Sequence, residues 1–325
     1  MLTRVCFVVA LLCVLVASAW AGTKPPLEFP ICTTPGSAQH DVAIDGNTVV
    51  WMDMRNMVVD INAGVDIYGY NLAAGKEFPI CTGIWNQQYP AISGNIVVWQ
   101  DARSYSIPSL TTPSSTDIYG CNLVTGQEFP ICTDAGDQTS PEIYGNIVVW
   151  QDLNDGVSRI YGYNLTNSQK YLISDPNAIA IFPQLFGNFV VWEEQRNYQS
   201  SGSDIYGYNL ATGKEFPICT APGHQVMPKI YGRKVVWTDY RNDSGYSDNP
   251  DIYGYDLVKK RELAILVAPG QQTAASFYGS VIACTAYDGQ GYTISGYDIQ
   301  RKQLFNICNV QYLYNSPAIS GNVMV

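Results

Sequence analysis

One short string returns again and again along this chain, and nothing else in it limits the fold so severely. G-N-x-V-V-W stands at Gly46–Trp51, Gly94–Trp99, Gly145–Trp150 and Gly187–Trp192, with a variant at Gly232–Trp237 and worn copies at Gly279–Cys284 and Gly321–Val325. Successive copies lie 42 to 51 residues apart. A second string, D-I-Y-G-Y-[ND]-L, occupies Asp66–Leu72, Asp204–Leu210 and Asp251–Leu257, with relatives at Asp117–Leu123, Arg159–Leu165 and Thr293–Ile299. A third, E-F-P-I-C, occupies Glu28–Cys32, Glu77–Cys81, Glu128–Cys132 and Glu215–Cys219, and is degraded at Lys170–Ser174, Glu262–Leu266 and Leu304–Cys308. A period of this length marks one supersecondary unit, stacked on its neighbours because a single copy cannot bury its own apolar face.

Each unit reads as four short strands. Strand A is P-x-I, as in Pro90-Ala91-Ile92, and a tight turn at Gly94 leads into strand B, I-V-V-W-Q. Strand B is apolar on both faces, which suits a strand sandwiched between sheets. Strand C alternates as D-I-Y-G-Y-N-L. Strand D, E-F-P-I-C, carries a proline that cannot donate to a ladder, so it belongs at a sheet edge. The connections are too short for crossover helices. The expected fold is therefore all-β, a β-propeller of four-stranded antiparallel blades. Strands A, B and D occur seven times and strand C six; the body opens with a D strand at Leu27–Cys32 and closes with an A–B pair at Pro317–Val325. Seven blades are expected, the last incomplete, shared between both chain ends and lacking strand C; six blades are the alternative.

Ahead of the repeats, Arg4, the apolar run Val5–Ala17 and Ala19-Trp20-Ala21 have the pattern of an export signal cut after Ala21. Residues 1–21 are thus expected to be a signal peptide and 22–325 a single propeller domain, truncated if the missing last Trp is taken at face value. No segment after the cut is apolar enough to span a bilayer. The expected address is the periplasm, the cell surface or the medium. The chain holds 28 Asp and Glu against 18 Lys and Arg, a formal charge of −10, which argues against nucleic acid as a partner. Two histidines, His40 and His224, leave little material for metal or acid–base chemistry, and no metal site or cofactor is expected.

The W-x-D-x-R…D-I-Y pattern resembles the TolB-type (WD40-like) β-propeller repeat, in versions arranged in tandem in exported bacterial and archaeal surface proteins. It is carried by Trp51-Met52-Asp53-Met54-Arg55 with Asp66-Ile67-Tyr68, by Trp99–Arg103 with Asp117–Tyr119, and by Trp237–Arg241 with Asp251–Tyr253. Trp192–Arg196 with Asp204–Tyr206 departs by Glu for Asp; Trp150-Gln151-Asp152 lacks the Arg, and Cys284-Thr285-Ala286 lacks the signature. The resemblance implies a propeller and leaves function open, since such propellers serve as partner-binding modules, as non-catalytic peptidase domains and occasionally as lyases.

The repeated charges read as a structural network within each blade: Asp53, Arg55 and Asp66; Asp101, Arg103 and Asp117; Arg196 and Asp204; Asp239, Arg241 and Asp251. Five cysteines (Cys32, Cys81, Cys132, Cys219, Cys308) hold one repeat position, too far apart between blades for disulfides. They are expected to be free thiols. The B–C loops vary widely in length while the A–B and C–D turns are uniform, which puts recognition on the face formed by the B–C and D–A connections. Four amides at one D–A position, Gln87, Gln138, Gln225 and Gln272, read as a partial ring near the channel, or else as blade-to-blade hydrogen bonds. Trp85, Tyr105, Tyr198, Tyr240 and Tyr246 are loop aromatics suited to stacking on sugars or peptides. The function expected is a non-catalytic, exported module that binds a protein or a glycan. The alternatives are an extracellular carbohydrate-active lyase or hydrolase, which would need His40 or His224 among carboxylates, and a surface-coat structural protein.

Overall fold

In the computed structural model, residues 12–16, 27–34, 38–56, 64–104, 115–242, 249–287, 291–310 and 317–325 are described. Six blades are each built from four consecutive antiparallel strands. Blade 1 runs Gln39–Asp45, Thr48–Asp53, Asp66–Asn71 and Lys76–Cys81, from the axis outward. Blades 2 to 6 repeat this plan, their innermost strands being Gln87–Ser93, Asp137–Tyr144, Ala180–Phe186, Gln225–Tyr231 and Thr273–Tyr278. A seventh four-stranded sheet is pieced together from the two chain ends. Ile319–Ser320 is its inner strand, followed by Val323–Met324, Leu12–Val16 and Leu27–Cys32. The inner strand lies between those of blades 6 and 1. The strand C position, expected to be missing, is thus held by Leu12–Val16, which pairs with Val323–Met324 on one side and Leu27–Cys32 on the other. That segment lies in the apolar run read as an export signal, and a cut after Ala21 would leave three strands there.

The core sits between blades. Adjacent residues of a strand point to opposite faces, so the V-V-W of strand B serves two neighbours at once. Val49 and Trp51 face the composite sheet, while Val50 faces Val97 and Trp99 of blade 2. Val149 likewise meets Val190 and Trp192 of blade 4, and Trp51, Trp99, Trp150, Trp192 and Trp237 are all fully buried. The glycine of D-I-Y-G-Y is demanded by strand D. A Cβ on Gly69 would come 2.7 Å from the Phe78 ring. Strand D is the outer edge in all six contiguous blades, and in blades 1, 2 and 4 it carries the proline.

The charge network differs from the expected one. Asp53 accepts from the Trp51 indole at 2.9 Å and from the Arg55 guanidinium at 2.7 Å, but the second carboxylate bound by Arg55 is Glu77 of strand D, at 2.6 Å. Asp66 instead accepts from Asn56, at 2.6 Å. Arg103 with Glu128, Arg196 with Glu215 and Arg241 with Glu262 repeat the arrangement, while Asp117 takes the Ser104 hydroxyl, and Asp204 and Asp251 take Asn197 and Asn242. The reason is reach: the guanidinium lies over the ring of the strand C tyrosine, 3.8 Å from its centre in blade 1, and emerges at strand D. Blade 3, which lacks the arginine, draws its cation from strand D, where Lys170 meets Asp152 at 3.4 Å and Asp134 at 2.6 Å. The cysteines sit at blade junctions as free thiols, with Cys32 3.4 Å from the Arg55 guanidinium of the next blade.

Candidate functional site

The innermost strands of all six contiguous blades and of the composite sheet enclose a cavity of about 660 Å3 on the propeller axis, within the range of small-ligand sites. Each inner strand of blades 1 to 6 enters it through a bulge, where the pairing with strand B slips, as between His40 and Ala43 or Gln88 and Ala91. In five blades the bulge holds a left-handed residue that is not glycine. Asp41, Tyr89, Ser140, Phe182 and Met227 have φ between 49° and 53° and all line the cavity. Four of them precede a proline, a position where helical backbone is already disfavoured. A left-handed L-residue costs about 1–3 kcal/mol, and glycine would avoid it. Side chains are kept there nonetheless, and Tyr89, Phe182 and Met227 are 45%, 45% and 52% exposed. Bulges re-aim side chains, and strain of this kind gathers at binding sites.

Deeper along the axis, the middle residue of P-x-I forms a second row: Ala43, Ala91, Glu142, Gln184, Lys229 and Ser276, each opposite the second valine of strand B or its equivalent. Polar groups gather on blades 3 to 6, and Ala43, Ala91 and Ala318 leave the opposite wall small. The Gln184 amide donates to Glu142 at 2.6 Å. Burial pushes the Glu142 carboxyl up and the Lys229 ammonium down, each opposed by the charge of the other. Burial also raises the Asp41 carboxyl, against the pull of His40. Two residues further, at the A–B turns, Tyr144, Phe186, Tyr231 and Tyr278 stand ring against ring with centroids 4.6, 4.6 and 4.4 Å apart. Burial and the neighbouring Tyr278 hydroxyl push Tyr231 up to about 12. These rings spend their faces on one another, which makes them a packed arc at that end of the axis. Blades 1 and 2 use turn hydrogen bonds at the same place, Gly94 N–H to Asp45 and Gly145 N–H to Ser93.

The four glutamines expected near the channel are buried. The Gln87 amide donates to the Ile84 carbonyl, and its backbone N–H reaches Val65 of blade 1 at 2.7 Å. Gln138, Gln225 and Gln272 repeat both bonds, toward Thr116, Ser203 and Pro250. At Gln87, Gln138 and Gln225 the preceding residue closes the clasp from its side chain: Asn86 accepts from Val65 N–H, Asp137 from Thr116 N–H and His224 Nδ1 from Ser203 N–H, all at 3.1 Å. Blade-to-blade bonding is therefore what these amides accompany, with their own carbonyl oxygens left unpaired. His224 has its pKa lowered by burial and carries Tyr198 edge-on at 5.4 Å. Trp85 and Tyr240 are half-buried in D–A and B–C connections, and the Tyr240 N–H donates to His224 O. Tyr105 and Tyr246 lie outside the described residues.

Sequence reading missed the axial rows. Their signal was the pair of positions flanking each proline of strand A (Tyr89 and Ala91, Ser140 and Glu142, Phe182 and Gln184, Met227 and Lys229), which reads as ordinary strand until the ring is closed.

Against known proteins, no family model and no curated sequence matches the chain. Solved structures do. The chain is similar to the β-propeller domain of the Trilobed protease from Pyrococcus furiosus, at 13% identity over 87% of each chain with a TM-score of 0.64. It is similar to oligogalacturonate lyase from Vibrio parahaemolyticus at 11% identity, covering 92% of this chain and 88% of that one, TM-score 0.63. TolB from Acinetobacter baumannii is matched at 12% identity over 87% and 82%, TM-score 0.55. At such identities the likeness establishes the propeller fold.

Proposed function

We propose that this protein is an exported, non-catalytic binding module of the TolB-like repeat type, acting at the cell surface or in the periplasm, and that it takes its protein or glycan partner at the D–A end of the propeller axis. One observation carries the reading: five blades hold a strained, non-glycine side chain at the same point of the axial cavity. Packing does not explain them, because three are large, apolar and about half exposed. Neither His40 nor His224 lines the axial cavity, which favours binding there over the lyase or hydrolase alternative raised by the likeness to oligogalacturonate lyase.

The test is capture on immobilised protein from an envelope extract and on a glycan array, with wild type beside a Tyr89→Gly, Phe182→Gly, Met227→Gly variant. A partner held by wild type and lost by the folded variant supports the reading. A partner held equally by both places recognition away from the axis and refutes it.

A further inference from the structure

Lys229 is poorly placed for a structural lysine. It lines the axial cavity, and among the described residues its ammonium has no hydrogen-bond partner and no salt bridge, only the through-space attraction of Glu142. Glu142 is engaged by Gln184, which stands on the blade between them. Packed surroundings disfavour its charged form. The side chain is only half-buried, so its ammonium is open to an anion that enters the cavity. The rim beside it is apolar: Met227 is two residues back on the same strand, and Phe182 is on the neighbouring blade. Opposite, Ala43, Ala91 and Ala318 leave room. At the A–B end the rings of Tyr144, Phe186, Tyr231 and Tyr278 form an arc on blades 3 to 6.

We propose that the cavity binds the C-terminal end of a peptide chain, its terminal carboxylate paired with Lys229 and its last, apolar side chain seated between Phe182 and Met227. Capture of a terminal carboxylate is an established mode of peptide recognition, and a methionine at the rim adapts to varied apolar ends. The inference rests on the axial reading above and narrows it to one ligand chemistry.

Titration calorimetry on the mature protein tests it with N-acetyl tetrapeptides ending in Leu, Phe or Met, as free acids and as C-terminal amides, beside uronic-acid oligosaccharides. The acids are expected to bind at least about ten-fold more tightly than the amides, as one charge-assisted hydrogen bond implies. Lys229→Met, checked by its melting curve, should close that gap, whereas Phe182→Ala should weaken both forms alike. Equal binding of acid and amide, a gap that survives Lys229→Met, or binding of the uronic-acid sugars alone each overturns the proposal. If no peptide binds while the captured partner still depends on the rim, this proposal falls and the axial reading stands.

Discussion

Phe182 offers a direct measure of the strain at the cavity rim, because alanine and glycine there differ in little else. Both Phe182→Ala and Phe182→Gly remove the half-exposed ring, so their loss of packing is shared. At φ +53° alanine keeps a left-handed penalty of about 1–2 kcal/mol that glycine escapes. Glycine in turn loses about 0.5–1 kcal/mol through its freer unfolded chain. The glycine variant is therefore expected to be the more stable by about 0.5–1 kcal/mol, the reverse of the usual order in a strand. Ala180→Gly, at a fully buried position of the same strand without a left-handed backbone, supplies the control and should destabilise by about 1 kcal/mol. Urea denaturation with a common slope resolves differences of this size. If the alanine variant at 182 is as stable as the glycine one, the backbone there is not strained, and the case for a side chain held on purpose collapses. Both variants should lose the axial partner.

Four further outcomes follow from the charge and thiol chemistry. Arg241→Met removes the cation from the fully buried Asp239, and should cost about 3 kcal/mol in denaturant unfolding. Glu262→Gln, on the more exposed arm of the same network, should cost about 1 kcal/mol or less. Asp66 is pushed up to about 6 by burial, above its unfolded value of about 4. Folding then takes up a proton between those values, so this group's contribution favours the fold below about pH 4 and fades as pH rises through 6. Asp66→Asn should flatten that part of the stability profile and raise stability at pH 7 by on the order of 1–3 kcal/mol; an unchanged profile refutes the assignment. Burial pushes Cys81 and Cys219 up to about 12, so native protein should react with a thiol reagent quickly at the half-buried Cys308 and at Cys81 and Cys219 only after unfolding. Rapid labelling of Cys81 would contradict the buried blade junction.

Much of the architecture is legible before any coordinates. V-V-W with a turn glycine in front states a strand packed on both faces, and the proline of E-F-P-I-C states an edge; both are local consequences of side-chain alternation and a missing N–H. A repeat that cannot bury itself must stack, and four short strands per repeat make the stack a ring. What stayed hidden is what the ring brings together. Arg55 chooses Glu77 over Asp66 because of where its side chain emerges after crossing Tyr68. The strand C position of the composite sheet is held by Leu12–Val16. Glu142, Gln184 and Lys229 meet although each is more than forty residues from the next, and the backbone at Tyr89, Ser140, Phe182 and Met227 takes a form that a following proline disfavours. Periodicity along the chain encodes which residues face a neighbour. The residues that face the axis are selected by closure alone, because only a closed ring turns one position per repeat into a common wall.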